Sequence, residues 1–148
     1  MVKNLIVCAS LLISASSFAA PNSDSIYTVQ INGHFWDGLH EIIEVVPEGD
    51  TFKVVYTSGS YDFKTSQLQY STQLLASGLS CSAVEDHNLT CSRDDLYVDG
   101  PRVVYEMTCN GGQSQHCKVV EKITVRSWTT GELETDVKAI LENAEFVK

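Results

Sequence analysis

A chain of 148 residues with 43% hydrophobic residues is long enough to bury one modest core and too short for several domains. Nineteen acidic residues face ten basic ones, a formal charge of −9, which disfavours nucleic acid and anionic membranes as partners. The same charge favours solubility and steers toward basic partners.

Met1-Val2-Lys3-Asn4 precedes a short apolar run, Leu5 to Ile13, and small residues follow to Ala20. This is the layout of a secretory signal peptide, and the run is too short to span a bilayer, which takes roughly 20 residues. Cleavage is expected after Ala19, or one residue later, where Ser17-Phe18-Ala19 places small residues as a signal peptidase requires. The short, lysine-bearing leader is of bacterial type. Cys8 sits inside the apolar run and leaves with it; bulky Val7 argues against a lipid anchor there. The expected division is a signal peptide over 1–19, a flexible leader over 20–25 and one globular domain over 26–148. The mature chain keeps all 19 acidic and nine basic residues, for a formal charge of −10, and is expected to be secreted or periplasmic, without membrane insertion.

Export makes Cys81, Cys91, Cys109 and Cys117 an even set in an oxidising space, with three connectivities open. Spacing favours local pairs. Asp86-His87-Asn88 makes a turn between Cys81 and Cys91, and Asn110-Gly111-Gly112 makes one between Cys109 and Cys117, so each pair can staple a hairpin. His87 and His116 lie near these thiols, but no C-x-x-C or H-x-x-x-H knuckle is present, so no metal and no cofactor is assigned.

Ile26 to Ile31 is rich in β-branched and aromatic residues and predicts a strand, ended by Asn32-Gly33. Glu41 to Val46 predicts a strand or a short helix. Phe52, Val54 and Tyr56 alternate with Lys53, Val55 and Thr57, a strand; Ser58-Gly59-Ser60 then predicts a turn, and Tyr61 to Lys64 the return. Residues 65–79 fit a strand followed by a loop. Arg102 to Thr108 and Lys118 to Trp128 are the clearest strands, with Val103, Tyr105 and Met107 on one face, and Val119, Glu121, Ile123 and Val125 on another. Glu121 breaks that apolar set, which points to a half-wet face or a shifted register. Leu133, Val137, Ile140, Leu141 and Ala144 recur at helical spacing, with Thr129 and Glu132 as a capping box, and predict a terminal helix of about twelve residues. The expected fold is mostly β or α+β: a small antiparallel sheet or partly open barrel with disulfide-stapled hairpins and one C-terminal helix.

Motifs with chemical meaning are incomplete. His40-Glu41-Ile42-Ile43-Glu44 lacks the second histidine of the zinc-protease pattern H-E-x-x-H. Asp95 to Gly100 with Glu106 matches positions one, five, six and twelve of a calcium loop, but Tyr97 occupies position three. Ser114 lacks the second glycine of a nucleophile elbow. Glu85-Asp86 and Asp94-Asp95 are expected to form a solvated loop face. Asn88-Leu89-Thr90 is a glycosylation sequon, relevant only in a glycosylating host.

No catalytic residue is assigned. The expected role is binding, as a host-interaction factor or inhibitor-like module, with exposed rings near turns as candidate contacts: Phe35, Trp36, Tyr61 and Tyr97. The competing reading is a small hydrolase with His34, Asp37, His40 and Glu41 around one cleft within residues 34–44. Tyr105-Glu106-Met107-Thr108-Cys109, ahead of a glycine turn, is similar to a segment of small periplasmic lysozyme inhibitors, which have this size and a bridged β-barrel. The likeness spans those five residues, the inhibitors' second motif has no counterpart in this chain, and neither a family nor any functional residue is carried over from it.

Overall fold

A computed structural model describes residues 24–32, 40–110 and 116–148. The expected signal peptide, most of the expected leader, Phe35, Trp36, His34, Asp37 and Ser114 lie outside them. Eight strands follow one another round a closed antiparallel barrel: β1 (Tyr27–Asn32), β2 (His40–Glu48), β3 (Thr51–Asp62), β4 (Gln67–Val84), β5 (Asn88–Asp94), β6 (Arg102–Cys109), β7 (Cys117–Arg126) and β8 (Leu133–Phe146). β8 returns to β1 through Val29↔Phe146 and Gln30↔Glu145, and Val147 extends this seam by donating its N–H to the Thr28 carbonyl at 2.9 Å. Among the described strands, closure leaves no unpaired sheet edge.

The inward face follows from the register. Val29, Ile43 and Tyr56 are cross-strand neighbours on β1, β2 and β3, as are Tyr27, Val45 and Val54. On the far side Leu89, Met107 and Val119 align, as do Cys91, Tyr105 and Glu121. Apart from half-buried Tyr56, which packs against them, and half-buried Glu121, these positions form one buried core with Leu79, Val103, Leu141 and Ala144. The predicted face of Val103, Tyr105 and Met107 is buried throughout.

Both predicted disulfides are present, Cys81–Cys91 between β4 and β5 and Cys109–Cys117 between β6 and β7. Each joins residues directly opposite in the register. They lie toward the end of the barrel that carries the turns at 49–50 and 85–87 and both ends of the domain. Near that end Tyr27 donates its hydroxyl to the His87 carbonyl at 2.5 Å, and the His87 ring stacks on Phe146 with centroids 4.1 Å apart. Asp86 and His87 both take positive φ, 61° and 63°, which closes a tight β4–β5 turn. The opposite end, called the rim here, carries the turns at 63–66, 95–101 and 127–132.

The predicted C-terminal helix is replaced by β8, a strand of 14 residues. Leu133 and Val137 are four apart, a spacing that places residues on one face of a strand as well as of a helix. The odd steps come from irregular pairing. Val119 pairs with Leu141 but Val120 with Ala139, so Ile140 is an extra residue in the ladder, and Asn143 takes a φ of 53°. Leu141 and Ala144, three apart, are therefore both buried. The capping pair Thr129 and Glu132 belongs to the β7–β8 turn, where Ser127 donates its N–H to the Glu132 carbonyl at 2.8 Å.

Two further expectations are corrected. The turn at Ser58-Gly59-Ser60 lies inside β3, and the chain reverses after Asp62, where Ser66 takes a φ of 54°. Gly59 is needed in the strand because the Tyr70 ring on β4 lies close against it: a Cβ there would meet the ring at 2.8 Å. The loop expected late in residues 65–79 is absent, because β4 runs unbroken from Gln67 to Val84. Residues 41–46, left between strand and helix by the sequence, are strand.

Candidate functional site

The rim differs chemically from the disulfide end. Along β7 the inward face runs Val119, Glu121, Ile123, Val125 toward the rim, from fully buried to 43% exposed. A groove of about 550 Å³ opens there, lined by Pro101, Ile123, Val125 and Trp128 among others. Gly100 belongs to the β5–β6 loop, in which Leu96–Val98 make one 3₁₀ turn and Asp99 takes a left-handed φ of 60°. Gly100 and Val98 both donate N–H groups to the Asp95 carbonyl, at 2.8 and 3.0 Å, which folds the loop back on itself. Opposite, Gly131 with a φ of 71° shapes the β7–β8 turn, and Arg126 donates to its carbonyl at 2.9 Å.

These two loops hold out the most exposed rings among the described residues: Trp128 at 97% and Tyr97 at 83%. Val98 on the first of these loops and Leu133 at the start of β8 are exposed as well. Of the four predicted contact rings, Tyr97 is fully displayed. Tyr61 is half-buried at the β3–β4 end of the rim, edge-on to the exposed Phe63 with centroids 4.9 Å apart. Phe35 and Trp36 fall outside the described residues. Trp128 was missed as a contact because it closes an alternating run and reads as a strand residue.

Inside the mouth of the barrel lies a smaller cavity of about 310 Å³, lined by Tyr56, Gln73, Leu75, Glu121, Lys138 and Ile140. β3 and β4 are separated from β7 and β8 by two strands on either side of the barrel, so the cavity is bounded by opposite walls of the lumen. Tyr56 donates its hydroxyl to Glu41, and Tyr105 donates its hydroxyl to Glu121. Burial, followed by the adjacent carboxylate, pushes the Tyr56 hydroxyl up to about 12, and the same two causes push Tyr105 further up. Both phenols are therefore neutral donors at ordinary pH.

A third recess, of about 670 Å³, lies by the Cys109–Cys117 bridge and includes His116, Glu142 and Asn143. Residues 111–115, which join two of its lining segments, are outside the described ones.

The residues of the incomplete motifs have other engagements. His40 and Glu41 are consecutive in β2 and project to opposite faces, Glu41 toward Tyr56, so the two do not converge in one cleft. At the calcium-like loop, Asp95 pairs with Arg93 at 2.7 Å and Glu106 with Lys122 at 2.8 Å. Asp94 is held by Arg102 at 2.8 Å, and the Leu96 N–H on its carboxylate, with Arg102, holds its pKa below the usual value. Asn88 of the sequon accepts the Cys109 N–H at 2.9 Å.

No helix among the described residues is long and apolar enough to cross a membrane. Comparison with known proteins gives no match: neither a family model, nor a curated protein, nor a solved structure matches this chain.

Proposed function

We propose that this chain is an exported, disulfide-locked binding module that takes a protein partner on the rim of its barrel, with Tyr97 and Trp128 as anchors and no reaction centre of its own. The observation that carries the reading is the near-complete exposure of two aromatic rings on adjoining loops that flank an apolar groove. Exposed rings are costly to leave in water and supply much of the energy where proteins meet. The loops that carry them stand on a closed, twice-bridged barrel, so little ordering is lost on binding. The formal charge of −9 and the rim acids Asp99, Glu132 and Glu134 favour a partner with a basic surface around an apolar anchor.

The test is affinity capture with purified disulfide-bonded protein against secreted and host fractions, run beside Tyr97→Ala and Trp128→Ala. The expected result is a basic protein retained by the parent and lost from both variants. Retention that is unchanged in both overturns the rim as the surface. Hydrolysis of a generic ester or peptide, abolished by His40→Ala, overturns binding as the role.

A further inference from the structure

We infer that the mouth of the barrel is a binding site for a small zwitterion, specifically an α-amino acid with an aliphatic side chain. The inference rests on the lumen cavity and is independent of the rim. That cavity, about 310 Å³, is at the lower end of the roughly 300–1,000 Å³ usual for ligand sites, and barrel mouths are a common place for them. Its walls offer one cation, one anion and an apolar floor. Lys138 and Glu121 are directly opposed across β7 and β8, yet no ion pair joins them. Lys138 is exposed and engages no described residue, so its ammonium is free to meet a carboxylate. Glu121 receives the Tyr105 hydroxyl on Oε2, which fixes the carboxylate and leaves Oε1 for an ammonium. Leu75 and Ile140 pack on the core below these charges and present aliphatic surface. Gln73, exposed and engaged with no described residue, adds a donor and an acceptor from the opposite wall. A molecule with one positive end, one negative end and a branched aliphatic arm satisfies all of these groups at once. A purely anionic or purely cationic ligand leaves one of the two charges facing its like.

The experiment is titration calorimetry on the folded, oxidised protein with three probes: L-leucine, L-leucinamide, which lacks the carboxylate, and 4-methylpentanoate, which lacks the ammonium. Leucine is expected to bind with a Kd of about 1 mM or tighter, and each mono-charged probe about tenfold or more weakly. Lys138→Met is expected to bring leucine down to the level of leucinamide, and Leu75→Trp, which fills the cavity, to abolish binding. Trp128→Ala, which touches only the rim, leaves leucine binding unchanged, so failure here and failure of the rim reading are separable. Absence of leucine binding, equal binding of the three probes, or full binding by Lys138→Met overturns the inference.

Discussion

The hydroxyl of Tyr105 on β6 is donated to Glu121, its direct cross-strand neighbour on β7, and this bond sets a polar pair into an inward face that is otherwise apolar along both strands. Toward the disulfide end the same two strands pair Met107 with Val119 and Cys109 with Cys117, all buried. Toward the rim Ile123 and Val125 become progressively exposed. Tyr105 is 1% exposed, so its polar atom needs a partner, and Glu121 supplies one.

Tyr105→Phe removes that donor while keeping the ring. The expected cost is about 1–2 kcal/mol, below the usual range for a fully buried bond to a charge because Glu121 is partly solvated. Urea unfolding of the parent, Tyr105→Phe, Glu121→Gln and the double variant measures the coupling. A double variant equal to the sum of the singles shows that the bond carries no energy.

Each disulfide closes a short loop, with sequence separations of 10 and 8. Replacing either pair by serines is expected to cost roughly 2–3 kcal/mol through the freed unfolded chain. The bridges also clamp hairpins on either side of the β5–β6 pair, so losing both is expected to cost more than losing either. Peptide mapping without reduction must recover Cys81 with Cys91 and Cys109 with Cys117; any other pairing contradicts this barrel.

The parts of the fold that the sequence made legible are those where periodicity and chemistry agree. β6 alternates cleanly from Val103 to Met107, and each cysteine pair brackets turn residues, so strand, hairpin and bridge could be read together. β8 was misread because Leu133 and Val137 satisfy both periods, and the bulge at Ile140 supplies the odd step that mimics a helix. Gly59 looked like a turn because the ring that requires it, Tyr70, comes from another strand. Glu121 stood out as an irregularity on an apolar face, and that irregularity is the polar mouth. Trp128 was silent because exposure is a property of where β7 ends, not of residue type.

Gly59→Ala is expected to destabilise by about 1–2 kcal/mol, since the new methyl meets the Tyr70 ring and strand backbone leaves little room to yield. The cost should shrink when Tyr70 is also replaced by alanine. Thermal unfolding of the two singles and the double decides it: an undiminished cost in the Tyr70→Ala background places the strain elsewhere.

Trp128→Ala and Tyr97→Ala are expected to change stability by no more than about 0.5 kcal/mol, because both rings stand in solvent. Met107→Ala, by contrast, empties a fully buried site and is expected to cost about 2–5 kcal/mol. Chemical denaturation of the three variants separates surface from core. A large loss from either rim variant shows that its ring packs on the barrel and is not held out for a partner.

Stability should also fall in alkali through Tyr27. Burial pushes its hydroxyl from 10.0 up to about 12, and the same hydroxyl is the donor to the His87 carbonyl. A raised pKa in the folded state means that the folded chain keeps its proton while the unfolded chain loses it. The folded state therefore binds more protons between pH 10 and 12, and stability declines across that window and not below it. Two units correspond to about 2–3 kcal/mol at most for this one group. Urea unfolding from pH 8 to 11.5 should show the decline in the parent and a shallower one in Tyr27→Phe, which has no hydroxyl to ionise. Parallel pH profiles for the two proteins show that Tyr27 ionises as freely folded as unfolded, and that its bond to His87 does not hold the disulfide end.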